Sequence, residues 1–283
     1  MAPALAGLLL PVLGLPGIII IDASTCALTA ACSLAVRRAL PARAAEAPAR
    51  ERLLGGWRQI RYEPRLRALV IIMTALTSTI GIVQVLFKPS LLPWMSASRV
   101  GLIETLCATG LLVGAALATA TRARPATLLT GGTAVTGAAM IAVAARPWPW
   151  SVAIAGIIAF AALALCQAGA DALARACLAR GREASAWGAI SLITQSGYLL
   201  AYATAAPLAD YVFSPLVRDG GFPAALVGSG PGRGAALTIT VAGALTIALA
   251  ALLGAKRGRW SPRAMPASPT DSLKEGAICS AGS

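Results

Sequence analysis

An arginine-rich segment runs directly into an apolar one in this chain: RRALPARAAEAPARERLLGGWRQIRYEPRLR (residues 37–67) is followed by ALVIIMTALTSTIGIVQVLF (residues 68–87). The first segment holds nine arginines, and the second has no charged side chain. About 20 helical residues at about 1.5 Å each cross the hydrocarbon core of a bilayer, so the second segment has the length of a span. Short loops rich in Lys and Arg stay on the cytoplasmic side. Together the two segments predict a transmembrane helix that begins at a cytoplasmic loop.

The composition of the whole chain also favours a membrane protein. The chain is 57% hydrophobic and 12% charged, with a mean hydropathy of +0.75, whereas soluble domains carry about 25% charged residues. Arginine-rich loops explain the formal charge of +13, so no nucleic-acid partner is expected. The preference for Arg over Lys, with many Ala and Gly, suggests a GC-rich bacterial genome.

Seven segments are long and apolar enough to span a bilayer. An eighth apolar stretch, Pro3 to Leu13, is about half as long as a span and then meets Gly14, Pro16 and Gly17, which predict a turn. The predicted fold class is therefore an all-α polytopic membrane protein, with about seven full transmembrane helices after a truncated one. The predicted spans are roughly 16–36, 68–87, 100–120, 126–145, 149–172, 185–209 and 235–255.

The loop charges predict the orientation. With residues 37–67 in the cytoplasm, the C-terminus is cytoplasmic too, and only five of the 24 basic residues fall outside. Arg50 to Arg61 alternates Arg with apolar residues, which suits a helix on the inner leaflet or a solvated linker helix equally well. Residues 259–283 are polar and are predicted to be disordered. The five basic residues on the outer side are Lys88, Arg99, Arg146, Arg218 and Arg233.

Several kinds of chemistry lack their usual residues. The chain has no histidine, and its six cysteines form no CxxC pair, so we expect no metal site and no cofactor. With no histidine and no pair of acids at helical spacing, the sequence argues against an intramembrane enzyme. The run from Gly228 to Gly234 lacks the Gly-Lys-Ser/Thr ending of a phosphate loop and predicts a flexible turn into the last helix.

Three acids lie within predicted spans, where a charge costs about 2.5–3.5 kcal/mol at a helix centre. Asp171 has Arg175 at i+4, which predicts an ion pair that fixes a helix end. Glu104 is the strongest candidate to bind a substrate cation or to carry a proton; alternatively, it is a boundary carboxylate within reach of water. Asp22 follows four isoleucines in the outer part of its helix.

Polar side chains form stripes on two predicted helices. They would be costly against lipid, so they face other helices or water. Interhelical hydrogen bonding and a substrate path are both compatible with the stripes. On the span 126–145, small residues predict close helix packing. The stripes are Ser191, Gln195, Tyr198 and Tyr202 on one helix and Thr74, Thr77, Ser78, Gly81 and Gln84 on another; Gln167 stands alone on 149–172, and the small residues are Gly131, Gly132, Thr133, Thr136 and Gly137.

Four segments resemble the major facilitator superfamily of secondary transporters, most of all its bacterial drug, macrolide and siderophore (enterobactin-type) exporters. They are PALAGLLL (3–10) with Ile21-Asp22, GWRQIRYEPRL (56–66), APLAD (206–210) and GPGRG (230–234). The likeness covers the chain up to about residue 258, and its motifs say little about substrate. One departure is the segment Ala118 to Arg124, which lacks the acid that many members carry in this loop.

The resemblance implies a partial major-facilitator fold in a bacterial plasma (inner) membrane. Residues 1–36 would be a truncated fifth helix and the sixth, 37–67 the cytoplasmic linker, 68–258 the six-helix C-terminal half and 259–283 a tail. The implied function is proton-driven efflux of a small, partly apolar organic molecule. Because the family's path lies between two halves, the alternative is a subunit that does not transport or that needs a complementary N-terminal half. The implied path or coupling residues are Glu104, Gln84, Gln167, Gln195, Tyr198, Tyr202 and Asp22.

Overall fold

The computed structural model describes residues 2–39, 49–145, 148–178 and 183–255. Within these ranges every regular element is helical and no strand occurs, which confirms the predicted all-α fold. The central linker residues 40–48 and the tail 259–283 lie outside them. The helices are α1 (Ala2–Ala39), α2 (Ala49–Tyr62), α3 (Pro64–Leu91), α4 (Ala97–Ala120), α5 (Pro125–Ala145), α6 (Pro149–Cys177), α7 (Glu183–Pro207), α8 (Ser214–Arg218), α9 (Phe222–Val227) and α10 (Arg233–Ala255), and a π-helical turn (Leu208–Phe213) joins α7 to α8.

Proline and glycine set several of these boundaries. Helices α3, α5 and α6 each begin at a proline, which has no N–H to leave unpaired in the first turn and already has a helical φ. Gly14 interrupts α1 with φ 62°, a backbone conformation that favours glycine. The turn predicted after Leu13 is therefore confirmed as a kink, with helix on both sides.

Six described helices are long and apolar enough to cross a membrane: residues 19–36 of α1, and α3, α4, α5, α6 and α10. The seventh predicted span, 185–209, forms the 25-residue helix α7 but is not among the six. Its length suffices, but its polar residues lower its mean hydropathy below that of the other six helices. These residues include Ser191, Thr194, Gln195 and Ser196.

The segment from Tyr211 to Arg233 is rich in Gly and Pro, which predicts a long loop, but much of it is helical. The π-helical turn and α8 extend α7 to Arg218, and α9 follows. Only the end matches the prediction, where Gly228, Gly230 and Gly232 have positive φ and turn the chain into α10. At Gly230 a Cβ would lie 3.0 Å from the Trp94 ring, so the turn is packed against the end of α3.

Small residues bring the helices of the bundle into close contact. A Cβ on Gly137 would lie 2.7 Å from the carbonyl oxygen of Gly243, and the reverse distance is the same, so α5 and α10 touch through their backbones. Gly132 makes a similar approach to α6 at Ala162. The close packing predicted for α5 is thus confirmed at these glycines, but it was wrong for Gly131, which faces open space.

Arg233, which was predicted to lie on the outer side of the membrane, is buried, with 4% of its surface exposed. Its guanidinium stacks 4.7 Å from the centre of the Trp94 ring, and Nη1 donates to the carbonyl oxygen of Ala144 at 3.4 Å. Trp94 Nε1 in turn donates to the carbonyl oxygen of Pro231 at 3.1 Å. This cluster joins the first residue of α10 to the ends of α3 and α5.

Helix α2 is confirmed and packs by one face against α7 and the end of α6. The Gly56 amide donates to Ser185 Oγ at 2.9 Å, and Gln59 Nε2 donates to the carbonyl oxygen of Cys177 at 3.4 Å. A Cβ on Gly56 would collide with the Ser185 carbonyl, and Ile60 is buried beside it. The other face of α2 is exposed and carries two aromatic and two basic side chains: Trp57, Arg58, Arg61 and Tyr62.

Two further predictions concern acids. The predicted ion pair between Asp171 and Arg175 does not form. Among the described residues the structure has one salt bridge, which joins Lys88 and Glu104. Asp22 lies on α1, which contacts α4 and has no buried residue from Ile19 to Val36. An apolar helix this exposed is stable only in lipid or against further protein.

Candidate functional site

A cavity of about 310 Å³, partly open to the surface, lies between α3, α4, α5, α6 and α10. Its wall is largely apolar and includes the rings of Phe87 and Phe160, while Gln84, Glu104 and Thr136 supply polar groups. Ligand sites are usually cavities of this kind, mostly apolar with a few placed polar groups. The remaining lining residues are Ile80, Val83, Cys107, Ala108, Met140, Val143, Gly156, Ala159, Leu163 and Ile239.

One side of the cavity is fixed by a close contact between α4 and α6. A Cβ at Gly110 would collide with the carbonyl oxygen of Ile157, and one at Gly114 would collide with that of Ala161. On α6, Gly156 leaves the space that the Sγ of Cys107 fills. Gly110 and Gly114 form a G-x-x-x-G motif, a known signal for close helix packing in membranes. The two glycines are visible in the sequence, but no close contact was predicted from them.

Glu104 is paired with a lysine at the polar edge of the cavity. Its Oε2 lies 3.5 Å from Nζ of Lys88, near the end of α3, so the pair connects α3 to α4. The Glu104 side chain is 22% exposed and that of Lys88 is 59% exposed. Exposed pairs of this kind contribute about 0–1 kcal/mol, because water competes for both charges. The pair is thus weak enough to open when another cation or a proton reaches the carboxylate.

The position of Glu104 agrees with parts of both alternatives drawn from the sequence. It lines the cavity, as a substrate-binding group would. It is also partly exposed, as a boundary carboxylate would be. From the sequence, Lys88 was predicted only as one of the basic residues on the outer side, with no partner assigned to it. The partner is Lys88 because α3 continues past its predicted end at residue 87, to Leu91.

The two polar stripes meet between α3 and α7. The Tyr202 hydroxyl donates to Oε1 of Gln84 at 2.6 Å, and the Tyr198 ring contacts the Tyr202 ring edge-on, with centroids 5.4 Å apart. Gly81 and Gly197 allow this approach, since a Cβ at either would lie within 3.1 Å of the facing helix. Interhelical hydrogen bonding, one of the two alternatives, therefore accounts for Gln84 and Tyr202.

We expect Tyr202→Phe to weaken the contact between α3 and α7 only slightly. The change removes one neutral hydrogen bond, which contributes about 0.5–1.5 kcal/mol, and keeps the ring contact with Tyr198. Thermal unfolding of the purified protein measures the loss. Gln84→Leu should cost about the same, and the double variant should cost no more than either single one if the two residues act only through this bond.

Three predicted site residues are not brought to the cavity. Gln167 is exposed on α6, and Gln195 is exposed on α7. Asp22 is exposed on α1. Tyr198 and Tyr202 reach the cavity only indirectly, because Gln84 both lines it and accepts the Tyr202 hydrogen bond.

Thr136 was predicted only as a packing residue, but it has a second feature. It is 3% exposed, it lines the cavity, and its Oγ1 has no hydrogen-bond partner among the described residues. Thr133, one turn earlier on the same helix, donates to the carbonyl oxygen of Leu129 at 2.6 Å and lies 3.3 Å from the Sγ of Cys166. No sequence pattern distinguishes the two threonines, because the difference depends on the facing helices.

Comparison with known proteins adds no family. No family model matches the chain, and no curated protein or solved structure matches it either. The membrane fold therefore rests on the helices themselves, and the likeness to the major facilitator superfamily stays a prediction from the sequence.

Proposed function

We propose that the chain is the C-terminal part of a secondary transporter that exports a small, partly apolar organic molecule in exchange for protons. The observation that carries the proposal is the cavity of about 310 Å³ among long apolar helices, with the carboxylate of Glu104 in its wall. A carboxylate in such surroundings is expensive and is usually retained for binding or proton transfer. The aromatic rings of Phe87 and Phe160 would contact the apolar part of the substrate.

Competition for a single carboxylate gives a simple coupling mechanism. Glu104 now pairs with Lys88, and either a proton or a cationic group of the substrate would displace that lysine. Because the carboxylate cannot hold both, binding of one promotes release of the other. Loss of the pair also removes the salt bridge between α3 and α4, which form two walls of the cavity. The conformational change would follow from this step, since ligands shift a protein toward the state that they bind better.

The proposed family relationship is the major facilitator superfamily, within its drug and siderophore exporters. If residues 68–258 are the family's C-terminal half, α3, α4 and α6 correspond to its seventh, eighth and tenth helices. These helices line the family's path, which agrees with the positions of Gln84 and Glu104 at the cavity. The cavity also extends to α5 and α10, whose counterparts face lipid in the family, and α7 contributes no lining residue. The cavity is therefore proposed as a side pocket of the path.

The proposed location is the bacterial plasma membrane, with residues 37–67 and the C-terminus in the cytoplasm. The exposed face of α2 supports this orientation, because Trp57 and Tyr62 suit the interface and Arg58 and Arg61 suit anionic headgroups. Of the two alternatives for α2, we favour the helix on the inner leaflet.

Cysteine labelling tests the orientation. In a variant without native cysteines, Thr121→Cys at the end of α4 should react with an impermeant maleimide only after the cells are opened. Ser229→Cys in the turn before α10 should react in intact cells. Both positions are exposed, so accessibility to the reagent depends on the side of the membrane. The opposite pattern would reverse the proposed orientation.

Transport is tested in everted membrane vesicles from cells that express the gene with and without the DNA directly upstream of Met1. With an imposed pH gradient, we expect uptake of ethidium above that of vesicles from vector-only cells, and loss of this uptake when a protonophore dissipates the gradient. If vesicles with either form of the gene take up no more ethidium than vector-only vesicles, the result would argue against the transporter proposal for this dye class.

The second candidate function is that of a membrane subunit that does not itself transport and that requires a partner. The exposed polar face of α7, with Ser191, Gln195 and Tyr202, favours it, since such a face is costly against lipid. A Gln195→Cys variant should then form a specific cross-link in native membranes. A monodisperse monomer without cross-links would exclude this candidate.

A further inference from the structure

We propose that the exposed face of α2 binds anionic phospholipid, and that the bound lipid holds α2 against the ends of α6 and α7. The face consists of Trp57, Arg58, Arg61 and Tyr62, and all four side chains are exposed. The proposal rests on the orientation proposed above, but it does not depend on transport. It adds to that orientation a lipid partner and a structural effect of lipid binding.

The side chains of this face match the chemistry of a lipid headgroup. Trp57 lies four residues before Arg61, and Arg58 lies four residues before Tyr62, so each aromatic ring has an arginine beside it on the helix surface. Trp57 is 47% exposed and Tyr62 is 76% exposed, and rings of both kinds prefer the depth of the headgroups. A guanidinium pairs with a phosphate through two N–H groups.

The protein itself does not neutralise these arginines. Among the described residues one salt bridge occurs, and it joins Lys88 to Glu104. Neither Arg58 nor Arg61 makes a side-chain hydrogen bond within the same ranges. Each unpaired basic group near an anionic surface raises the affinity by about fivefold, whereas a lipid without net charge offers no such attraction. The charge of the face therefore favours anionic lipid.

The position of α2 in the chain favours lipid over a soluble acidic partner. Glu63 alone separates α2 from α3, which is long and apolar enough to cross a membrane. Tyr62 therefore lies close to the point where a span begins. Glu63 has an extended backbone, with φ −94° and ψ 103°, so α2 does not continue along the axis of α3. This position keeps the basic face near the headgroups.

The opposite face of α2 connects lipid binding to the bundle. Ile60 is buried there, and the Gly56 amide donates to Ser185 Oγ at 2.9 Å. Gln59 Nε2 donates to the carbonyl oxygen of Cys177 at 3.4 Å. These contacts fix the rotation of α2, so the docked helix presents all four outer side chains to lipid at once. Because a ligand favours the state that it binds better, the lipid stabilises the docked state.

Thermal unfolding of the purified protein in dodecyl maltoside tests lipid binding. Phosphatidylglycerol should raise the unfolding temperature more than the same amount of phosphatidylcholine does. Glycerophosphoglycerol, which has the headgroup without acyl chains, should have no effect. In the double variant Arg58→Gln, Arg61→Gln, the half-maximal concentration of phosphatidylglycerol should rise about fivefold per arginine. Without added lipid, this variant should unfold at the same temperature as the original protein, because neither guanidinium has a partner among the described residues.

The matched control is the double variant Arg122→Gln, Arg124→Gln. Both arginines are exposed and lie between α4 and α5, on the side of the membrane proposed for α2. The control removes the same charge from a loop without aromatic residues, so it should keep the response to phosphatidylglycerol.

A disulfide between α2 and α7 reports the docking of α2. A Cβ on Gly55 would lie 3.9 Å from Ser185 Oγ. In a protein whose native cysteines are serine, Gly55→Cys and Ser185→Cys should therefore form a disulfide on oxidation. Phosphatidylglycerol should accelerate this reaction, and the added changes Arg58→Gln and Arg61→Gln should remove the acceleration.

Four results would overturn the proposal. They are an equal effect of the two lipids, which would leave the face to a soluble acidic partner, an unchanged response in the Arg58→Gln, Arg61→Gln variant, an equal loss of response in the control, and a cross-linking rate that phosphatidylglycerol does not change. An effect of glycerophosphoglycerol as large as that of the lipid would also overturn it, since the site would then bind a free phosphate ester. Because no step requires transport, these results leave the ethidium assay unaffected, and a failure of ethidium uptake leaves the lipid response unaffected.

Discussion

Replacing Gly114 with alanine is expected to separate α4 from α6 and to destabilise the protein. The added Cβ would collide with the carbonyl oxygen of Ala161 and lie 2.8 Å from the Cβ of Ala164. Overpacking of this kind costs about 1–3 kcal/mol, because backbone cannot move aside as a side chain can. Gly110→Ala should act in the same way through the carbonyl oxygen of Ile157, and the double variant should lose most of its folded yield.

Gly101→Ala is the matched control for this prediction. Gly101 lies on the same helix, but a Cβ there meets nothing within 4 Å. Alanine is preferred over glycine within a helix by about 0.5–1 kcal/mol, so the control should be neutral or slightly stabilising. The measurement is the thermal unfolding temperature, in one detergent, of the original protein, Gly114→Ala and Gly101→Ala. If Gly114→Ala and Gly101→Ala unfold at the same temperature, the close contact of α4 and α6 is wrong.

The helices of this protein were largely predictable, because each depends on a local property. Long apolar runs such as residues 68–87 predict spans without knowledge of neighbours, and Gly14 marks the kink in α1. Helix α7 shows the limit of this approach. Its length predicts a span, but its polar face can be interpreted only once α3 is seen to cover part of it through Gln84.

The candidate site was less predictable, because it depends on which faces meet. Glu104 was found from its cost in a membrane, which is local. Its partner Lys88 depends on where α3 ends, and the free hydroxyl of Thr136 depends on the shape of the surrounding helices. The burial of Arg233 was not predicted either, since the sequence does not show the Trp94 ring that covers it.

Glu104→Gln is expected to reduce ethidium transport by at least about tenfold. The amide keeps the size of the side chain but can neither carry the charge that pairs with Lys88 nor release a proton. Without the carboxylate, neither a proton nor a substrate cation has a charged group to bind in the cavity wall, and a loss of about 1.4 kcal/mol already corresponds to tenfold. Initial rates in everted vesicles measure the effect. Glu183→Gln, an exposed change at the start of α7, is the control and should leave the rate unchanged.

A neutral dye separates the two roles of Glu104. If the carboxylate binds the cation of the substrate, Glu104→Gln should impair transport of ethidium but spare that of neutral N-phenyl-1-naphthylamine. If it carries the proton, transport of both dyes should fail. Normal rates for both would remove Glu104 from the mechanism and leave its pair with Lys88 as a tie between α3 and α4.

The central claim is that a molecule in this cavity exchanges with protons through Glu104. The most direct measurement uses proteoliposomes with an entrapped pH-sensitive dye. They contain the form of the protein, with or without the upstream extension, that takes up ethidium in vesicles. Ethidium is added outside without a prior pH gradient, and the internal pH is followed. We expect a change in internal pH that depends on ethidium for the original sequence and none for Glu104→Gln. An equal pH change in both proteins, or ethidium movement without any pH change, would contradict the claim.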